Sequence, residues 1–417
     1  MGKLQTARHG VTLWKRDKAY PGFTMFAPLI SSRKQLIDGK TSRVYLIDMN
    51  GRIVHFWDVP GMVRMHAELL ENGNILCGLK DVNLPSRHLT FSSHAILELD
   101  WDSNVVWKYD DDLLECHDRC RMRNGNTLIM KYEPLEPELQ AKIKGGEPGT
   151  EAVDPLDNKV SITTEKKNGQ IHTLKLEEIT PEGEIVWSMK LSDALDPELD
   201  IIIPYGEREL WPGLNAIEEM PDGNIIATSF NLSTIFIFDK QTKTVKWRFG
   251  NANGPGKTKL SFPHDPTVLD NGNILVFDNG RYFSSLPDGT KNILPPDFSR
   301  ILEIDPSTNE VVWDYKEDNP VDFYSSFISS ARRLQNGNTL ICEGATGRFF
   351  EVTQRGEKVW EYVSPFYTRV NNRFGNTNNV FRCMRYDINY PGIKGKVFDD
   401  SKTDHINRLF GPNAYDV

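Results

Sequence analysis

The sequence predicts an all-β fold, a six-bladed β-propeller whose last blade is closed by N-terminal strands, and three observations carry that prediction. The first is a repeated tryptophan. Six of the nine tryptophans close near-identical strings: GRIVHFW to Trp57, SNVVWKY at Trp107, GEIVWSM at Trp187, KTVKWRF at Trp247, NEVVWDY at Trp313 and GEKVWEY at Trp360. The second is a repeated turn, Asn72-Gly73-Asn74, Asn124-Gly125-Asn126, Asp222-Gly223-Asn224, Asn271-Gly272-Asn273 and Asn336-Gly337-Asn338. Asn-Gly and Asp-Gly tolerate the positive φ of tight hairpin turns. The third is a mismatch at the two chain ends, which leaves one repeat split between them.

Each repeat reads as four strands, A to D. Strand A precedes the Asn-Gly-Asn turn, and strand B follows it as a short apolar run such as ILCGL, TLIMKY, IIATSF, ILVFD or TLICEG. Strand C is a second apolar segment, VYLIDMNG or ILEIDPST for example, and strand D carries the tryptophan after a polar turn. Complete blades I to V start near His66, His117, Gly213, His264 and Ser329. Blade VI has its A strand in NVFRCMRY (379–386), with strands B, C and D supplied by 22–28, 43–49 and 52–57. Such a staple removes an exposed sheet edge.

Composition bounds the function. A net charge of -9 argues against nucleic acid or an anionic membrane as partner. No apolar run reaches the ~18 residues of a membrane helix, and residues 1–22 lack an apolar signal core. Five cysteines, an odd number, do not form a disulfide framework. The expectation is a single cytoplasmic domain over 1–417, with its oligomeric state open.

The A–B and C–D connections are tight, whereas the B–C and D–A connections are long and irregular. The functional face is therefore expected on the B–C and D–A side, where A strands open onto a central channel. Insertions at 132–172 and 189–212 are expected over that face. The candidate catalytic residues are His66, His117 and His264 at A-strand starts, with Arg281 after blade IV strand B. Candidate substrate contacts are Arg119, Tyr205, Trp211, Asn215, Asp278, Arg382 and Tyr386. Arginine and histidine around a dry funnel suit a small anionic or aromatic substrate. Arg121 and Arg385 read as packing residues. No cofactor is predicted, although His66, His117 and His264 could together hold a divalent metal.

Other motifs carry less. Cys116-His117-x-x-Cys120 lacks a second pair at zinc-finger spacing. GNANGPGKT (250–258) lacks the glycine spacing and strand–helix context of a P-loop. No G-x-S-x-G or H-E-x-x-H occurs.

The chain resembles the arylsulfotransferase propeller family. The resemblance rests on GVTLWKRDKAYPGFTMFAP, YLIDMNGRIVHFW, ILELDWDSNVVWKY, HDPTVLDNGNILVFDNGR, RILEIDPSTNEVVWDY and NGNTLICEGATGRFFEVTQRGEKVWEYVSP. It implies transfer of a sulfuryl group from an aryl sulfate to a phenol through a sulfated histidine, with no nucleotide donor. It assigns His264 and Arg281 as assisting groups. It also places Gly213, in Trp211-Pro212-Gly213-Leu214-Asn215, and Ser329 where the family carries histidines, Ser329 at the sulfated position. The alternatives are a lyase or hydrolase using channel histidines, with or without a divalent metal, and a non-catalytic binding propeller.

Overall fold

A computed structural model describes residues 9–30, 36–80, 91–146, 151–153, 160–163, 170–203, 206–250, 260–280, 298–369 and 376–412. The fold is a six-bladed β-propeller in which each blade is an antiparallel sheet running A-B-C-D. Blade I comprises Met62–Leu69, Ile75–Lys80, Ala95–Leu99 and Val105–Asp110, and blade II Leu114–Arg121, Thr127–Pro134, His172–Ile179 and Ile185–Lys190. Blade III comprises Leu214–Glu219, Ile225–Ser229, Thr234–Asp239 and Thr244–Gly250. Blade IV comprises Pro263–Val268, Ile274–Asp278, Arg300–Asp305 and Glu310–Tyr315. Blade V comprises Ser330–Arg333, Thr339–Glu343, Arg348–Val352 and Lys358–Val363. In blade VI, Val380–Tyr386 pairs with Phe23–Pro28, which pairs with Thr41–Ile47 and then Ile53–Pro60. The staple read from the sequence is present. The structure adds a strand that the repeat does not contain: Gly10–Trp14 pairs with strand D of blade V and covers its edge.

The chain forms two compact units. One consists of Met1–Asp112, Ile328–Val370 and Gly375–Val417 and holds blades V, VI and I; the other consists of Leu113–Phe327 and Asn371–Phe374 and holds blades II, III and IV.

The repeated residues have structural jobs. At each A–B turn the glycine takes positive φ, 89° at both Gly73 and Gly125. The second asparagine then reaches strand C: Asn74 Nδ2 donates to Glu98 (2.7 Å), Asn273 to Glu303 (2.7 Å) and Asn338 to Glu351 (2.6 Å). Three of the strand D tryptophans tie their blade to the next. Trp187 Nε1 donates to Lys240 O (2.9 Å), Trp247 Nε1 to Asn309 Oδ1 (2.8 Å) and Trp360 Nε1 to Met49 O (3.0 Å), each on the C–D turn of the following blade. An N–H that pairs across to the next blade is what tryptophan offers at these three places and phenylalanine lacks.

The apolar core lies between blades. Phe26, Tyr45, Phe349, Trp360 and Tyr362 fill one layer, between blades V and VI. Trp57, Leu46, Ile75 and Leu97 fill the next, between VI and I. In the other unit, Ile226, Ile235, Ile274, Val276 and Leu302 lie between III and IV. Full burial of each such side chain stabilises by about 1.5–3 kcal/mol. Arg385 belongs to this scaffold: it donates to Tyr20 O and Thr24 Oγ1 and lies over Trp360. Arg121 donates to Gly125 O in its own A–B turn.

Candidate functional site

In five of the six blades the A strand breaks register near one place, and the three candidate histidines sit at or next to it. In blade I the register jumps between Arg64 and Ala67, around Met65 and His66, and Met65 has φ 58°. In blade II it jumps between Leu114 and Arg119, so four residues from Glu115 to Asp118 face Met130. In blade III Asn215 is the extra residue, and in blade VI Phe381 and Arg382 together face Ala27. In blade IV the break lies between His264 and Thr267, with Asp265 at φ 53°. Blade V keeps register, but Ile328 (φ 54°) and Ser329 (φ 97°) precede it in the left-handed region. A bulge re-aims side chains away from strict alternation. It also explains why the A strands of blades I and II begin at Met62 and Leu114, ahead of the histidines expected to start them.

In the unit of blades II to IV, three adjacent A strands are locked together. Asp118 Oδ2 accepts from Ile217 N (2.9 Å) and Asn215 Nδ2 donates to Pro263 O (2.9 Å). His264 lies on the third strand, 6% exposed. Its Nδ1 is 2.7 Å from Asn279 Oδ1 and 3.1 Å from Phe262 O, both acceptors. Asn279 Nδ2 donates to Ser325 O (2.7 Å), which fixes the amide with its oxygen toward the ring. Nδ1 therefore carries the proton and the lone pair of the neutral ring is on Nε2. Asp278 anchors the strand that delivers Asn279. Its carboxylate accepts from Ser261 N (2.7 Å) and pairs with Arg300 (2.8 Å). Burial pushes this carboxyl up from the usual range, and Arg300 opposes the shift.

On the first strand, His117 Nδ1 is 2.5 Å from Glu115 Oε1, and Glu115 Oε2 accepts from the His117 backbone N–H (2.6 Å). The Glu115 side chain is fully buried and that of His117 is 8% exposed. Phe230 of blade III sits 6.0 Å from the imidazole, ring to ring. Arg119 is buried two residues on. Among the described residues, Glu115, Cys116 and His117 are the group whose potential metal-ligating atoms converge, within 4.8 Å of one another. The short Glu115–His117 contact, however, is a hydrogen bond that needs a proton on Nδ1, where a metal would need a lone pair.

The remaining candidates in this unit serve the frame. Asn215 is fully buried, and its Oδ1 accepts from Thr228 Oγ1 (2.6 Å). Trp211 is fully buried, with Nε1 donating to Asp200 O (2.7 Å). Tyr205 and Arg281 lie outside the described residues.

The unit of blades V, VI and I holds a separate pair. His66, buried, stacks on Phe381 (5.8 Å, 11°), and Arg382 Nη1 is 3.4 Å from His66 Nε2. A guanidinium only donates, so Nε2 faces it as acceptor. Tyr386 is buried, accepts from Leu69 N (2.9 Å) and has its phenol pushed up by burial. Ser329 is fully buried, and its Oγ accepts from Gly344 N (3.0 Å). Arg348 lies between Glu343 (2.9 Å) and Glu361 (2.6 Å) as an internal ion bridge.

Sequence reasoning missed Glu115 and Asp118. A strand places residues two apart on one face, so the Glu115–His117 spacing was the available signal. The bulge that carries Asp118 to the neighbouring blade had none.

Comparison with solved structures gives the fold. A protein of unknown function from Bacteroides caccae is 13% identical, covering 87% of this chain and 98% of its own, with a TM-score of 0.50. A streptogramin B lyase (11% identity, 82% and 87% covered, TM-score 0.42) and the virginiamycin B lyase of Staphylococcus aureus (12%, 77% and 83%, 0.38) are more loosely similar. No curated protein matches the sequence. The family described as arylsulfotransferase (ASST) matches residues 156–373, more than half of the 417, a span that includes His264, Asn279 and Ser329. The chain therefore belongs to the arylsulfotransferase family.

Proposed function

We propose that the protein transfers a sulfuryl group, or a closely related anionic group, from an aromatic or sugar-like small molecule to a hydroxyl acceptor, with the chemistry centred on His264. The observation that carries this reading is the fixed tautomer of His264. Asn279 holds Nδ1–H, Ser325 O holds Asn279, and Nε2 is left as the basic atom. An imidazole so held takes a proton from an acceptor hydroxyl and returns one to a leaving aryl oxide, without reorienting between steps. Arg281, one residue beyond Gly280, supplies the guanidinium that the resemblance assigns to the sulfuryl oxygens. Arg119, buried on the blade II strand, is a further anion-binding candidate. The family membership supports a sulfotransferase-like enzyme, and the His264 geometry supports acid–base work within it.

The test is turnover of 4-nitrophenyl sulfate by the purified full-length protein, with and without a phenol acceptor. The expected result is acceptor-dependent release of 4-nitrophenolate together with the sulfated acceptor. Absence of both across a panel of aryl sulfates would remove the reading. Stoichiometric metal lost on combined His117→Ala and His264→Ala substitution would instead favour a metal-dependent lyase or hydrolase.

A further inference from the structure

We infer that His117, oriented by Glu115, is the covalent carrier of the transferred group, an inference that rests on the sulfuryl-transfer reading. The argument starts from the bulge in blade II strand A. It brings Glu115 and His117 to the same place and leaves both oxygens of one carboxylate on one residue, Oε1 on the ring Nδ1 (2.5 Å) and Oε2 on the backbone N–H (2.6 Å). A carboxylate gripping its partner at two points fixes both the rotamer and the tautomer of the imidazole. The lone pair of the neutral ring then lies on Nε2, and a buried anion stands ready to stabilise positive charge on the ring. Those are the requirements of an activated nucleophile: an oriented imidazole, backed by a third group.

The surroundings fit the same role. Asp118, next in the chain, is pinned to Ile217 N and to Arg119 N (2.9 Å each), so the strand cannot relax around the histidine. Phe230 lies beside the ring, tilted by 40° to it, an aromatic neighbour suited to an aryl donor. Asp118 ties this strand to blade III, and Asn215 ties blade III to the strand of His264. Ser329 offers no substitute nucleophile. It is fully buried, and its hydroxyl accepts the Gly344 N–H.

The step balances as follows. The Nε2 lone pair of His117 forms a bond to sulfur as the bond from sulfur to the aryl oxygen breaks, and the aryl oxide leaves with that electron pair. The sulfated ring is cationic, its Nδ1–H shared with Glu115. An acceptor hydroxyl oxygen then attacks sulfur, and the breaking N–S bond returns its pair to Nε2. The acceptor's proton passes to His264, which delivers it to the next leaving oxide. Glu115 is a positioning residue; His117 is the catalytic one.

The experiment incubates the full-length protein with 4-nitrophenyl sulfate in the absence of acceptor, quenches in alkali and maps sulfated peptides by mass spectrometry. The expected adduct lies on His117. His117→Asn keeps a donor toward Glu115 but has no Nε2, and it should lose both adduct and at least ~10²-fold of turnover with an unchanged melting temperature. Glu115→Gln should cut kcat while leaving KM near its original value, and Glu115→Asp should recover part of the adduct. If His117→Asn does not fold, adduct mapping on the wild type and on Glu115→Gln still decides. An adduct on another residue, turnover retained in His117→Asn, or stoichiometric zinc lost on Cys116→Ser would overturn the proposal while leaving sulfuryl transfer standing. A wild type inert toward every aryl sulfate removes the underlying reading as well.

Discussion

Two buried imidazoles, His55 in blade VI and His264 in blade IV, differ in how each ring is held. His55 stacks on Trp101 (3.9 Å, 13°), meets Trp57 edge-on, and places Nε2 3.0 Å from Trp101 O. It behaves as an aromatic slab with a polar edge. Burial, and then the Lys402 and Lys396 ammonium groups, push its pKa down to about 3, so it is neutral throughout the working range. His264 is held instead through Nδ1 by a side-chain amide that is itself held by Ser325. Burial is common to both rings. What differs is whether the partner fixes the tautomer that leaves Nε2 basic.

The largest effect should come from the strand that sets this difference. Asp278→Asn keeps the acceptor for Ser261 N but removes the carboxylate facing Arg300, whose side chain is 21% exposed. A loss of about 3 kcal/mol in denaturant unfolding is expected. If Asp278→Asn unfolds at the wild-type midpoint, the anchoring role assigned to this ion pair is wrong.

Next, the two histidines should dissociate. His264→Asn should lower turnover of an aryl sulfate by ~10²-fold with little change in unfolding. His55→Gln should leave turnover intact and change the acid response. The sign follows from linkage. The folded-state pKa of His55 lies below its unfolded value of ~6.5, so the unfolded chain binds the extra proton. That stability is present above pH ~6.5 and drains away toward pH 3, with a slope approaching ~1.4 kcal/mol per pH unit. His55→Gln should flatten this slope relative to wild type in urea titrations between those limits. Equal slopes would remove the contrast.

The smallest effect should be at Ser329. Ser329→Ala leaves the buried Gly344 N–H without its acceptor and should cost ~1–2 kcal/mol while turnover stays at the wild-type level. Lost turnover at unchanged stability would give Ser329 the chemical role denied to it above.

The sequence alone determined the blade. A tryptophan, an Asn-Gly-Asn turn and alternating strands recur because each blade is built from the same hairpins, with the strand D indole in the same place. Those are local demands that any copy of the repeat must meet. The split blade was legible for the same reason, since a missing B, C and D had to be found at the other end of the chain. Gly10–Trp14 was not legible as a fifth strand, because it caps an edge and obeys no repeat. The positions of His66, His117 and His264 were legible as equivalent places, but their partners were not. Glu115 grips His117 and Arg382 faces His66 where the A strands leave register, and Asn279 reaches His264 from just past the end of strand B. A bulge has no period, so it writes no pattern into the sequence. The tertiary structure therefore decided which ring nitrogen of each histidine is held.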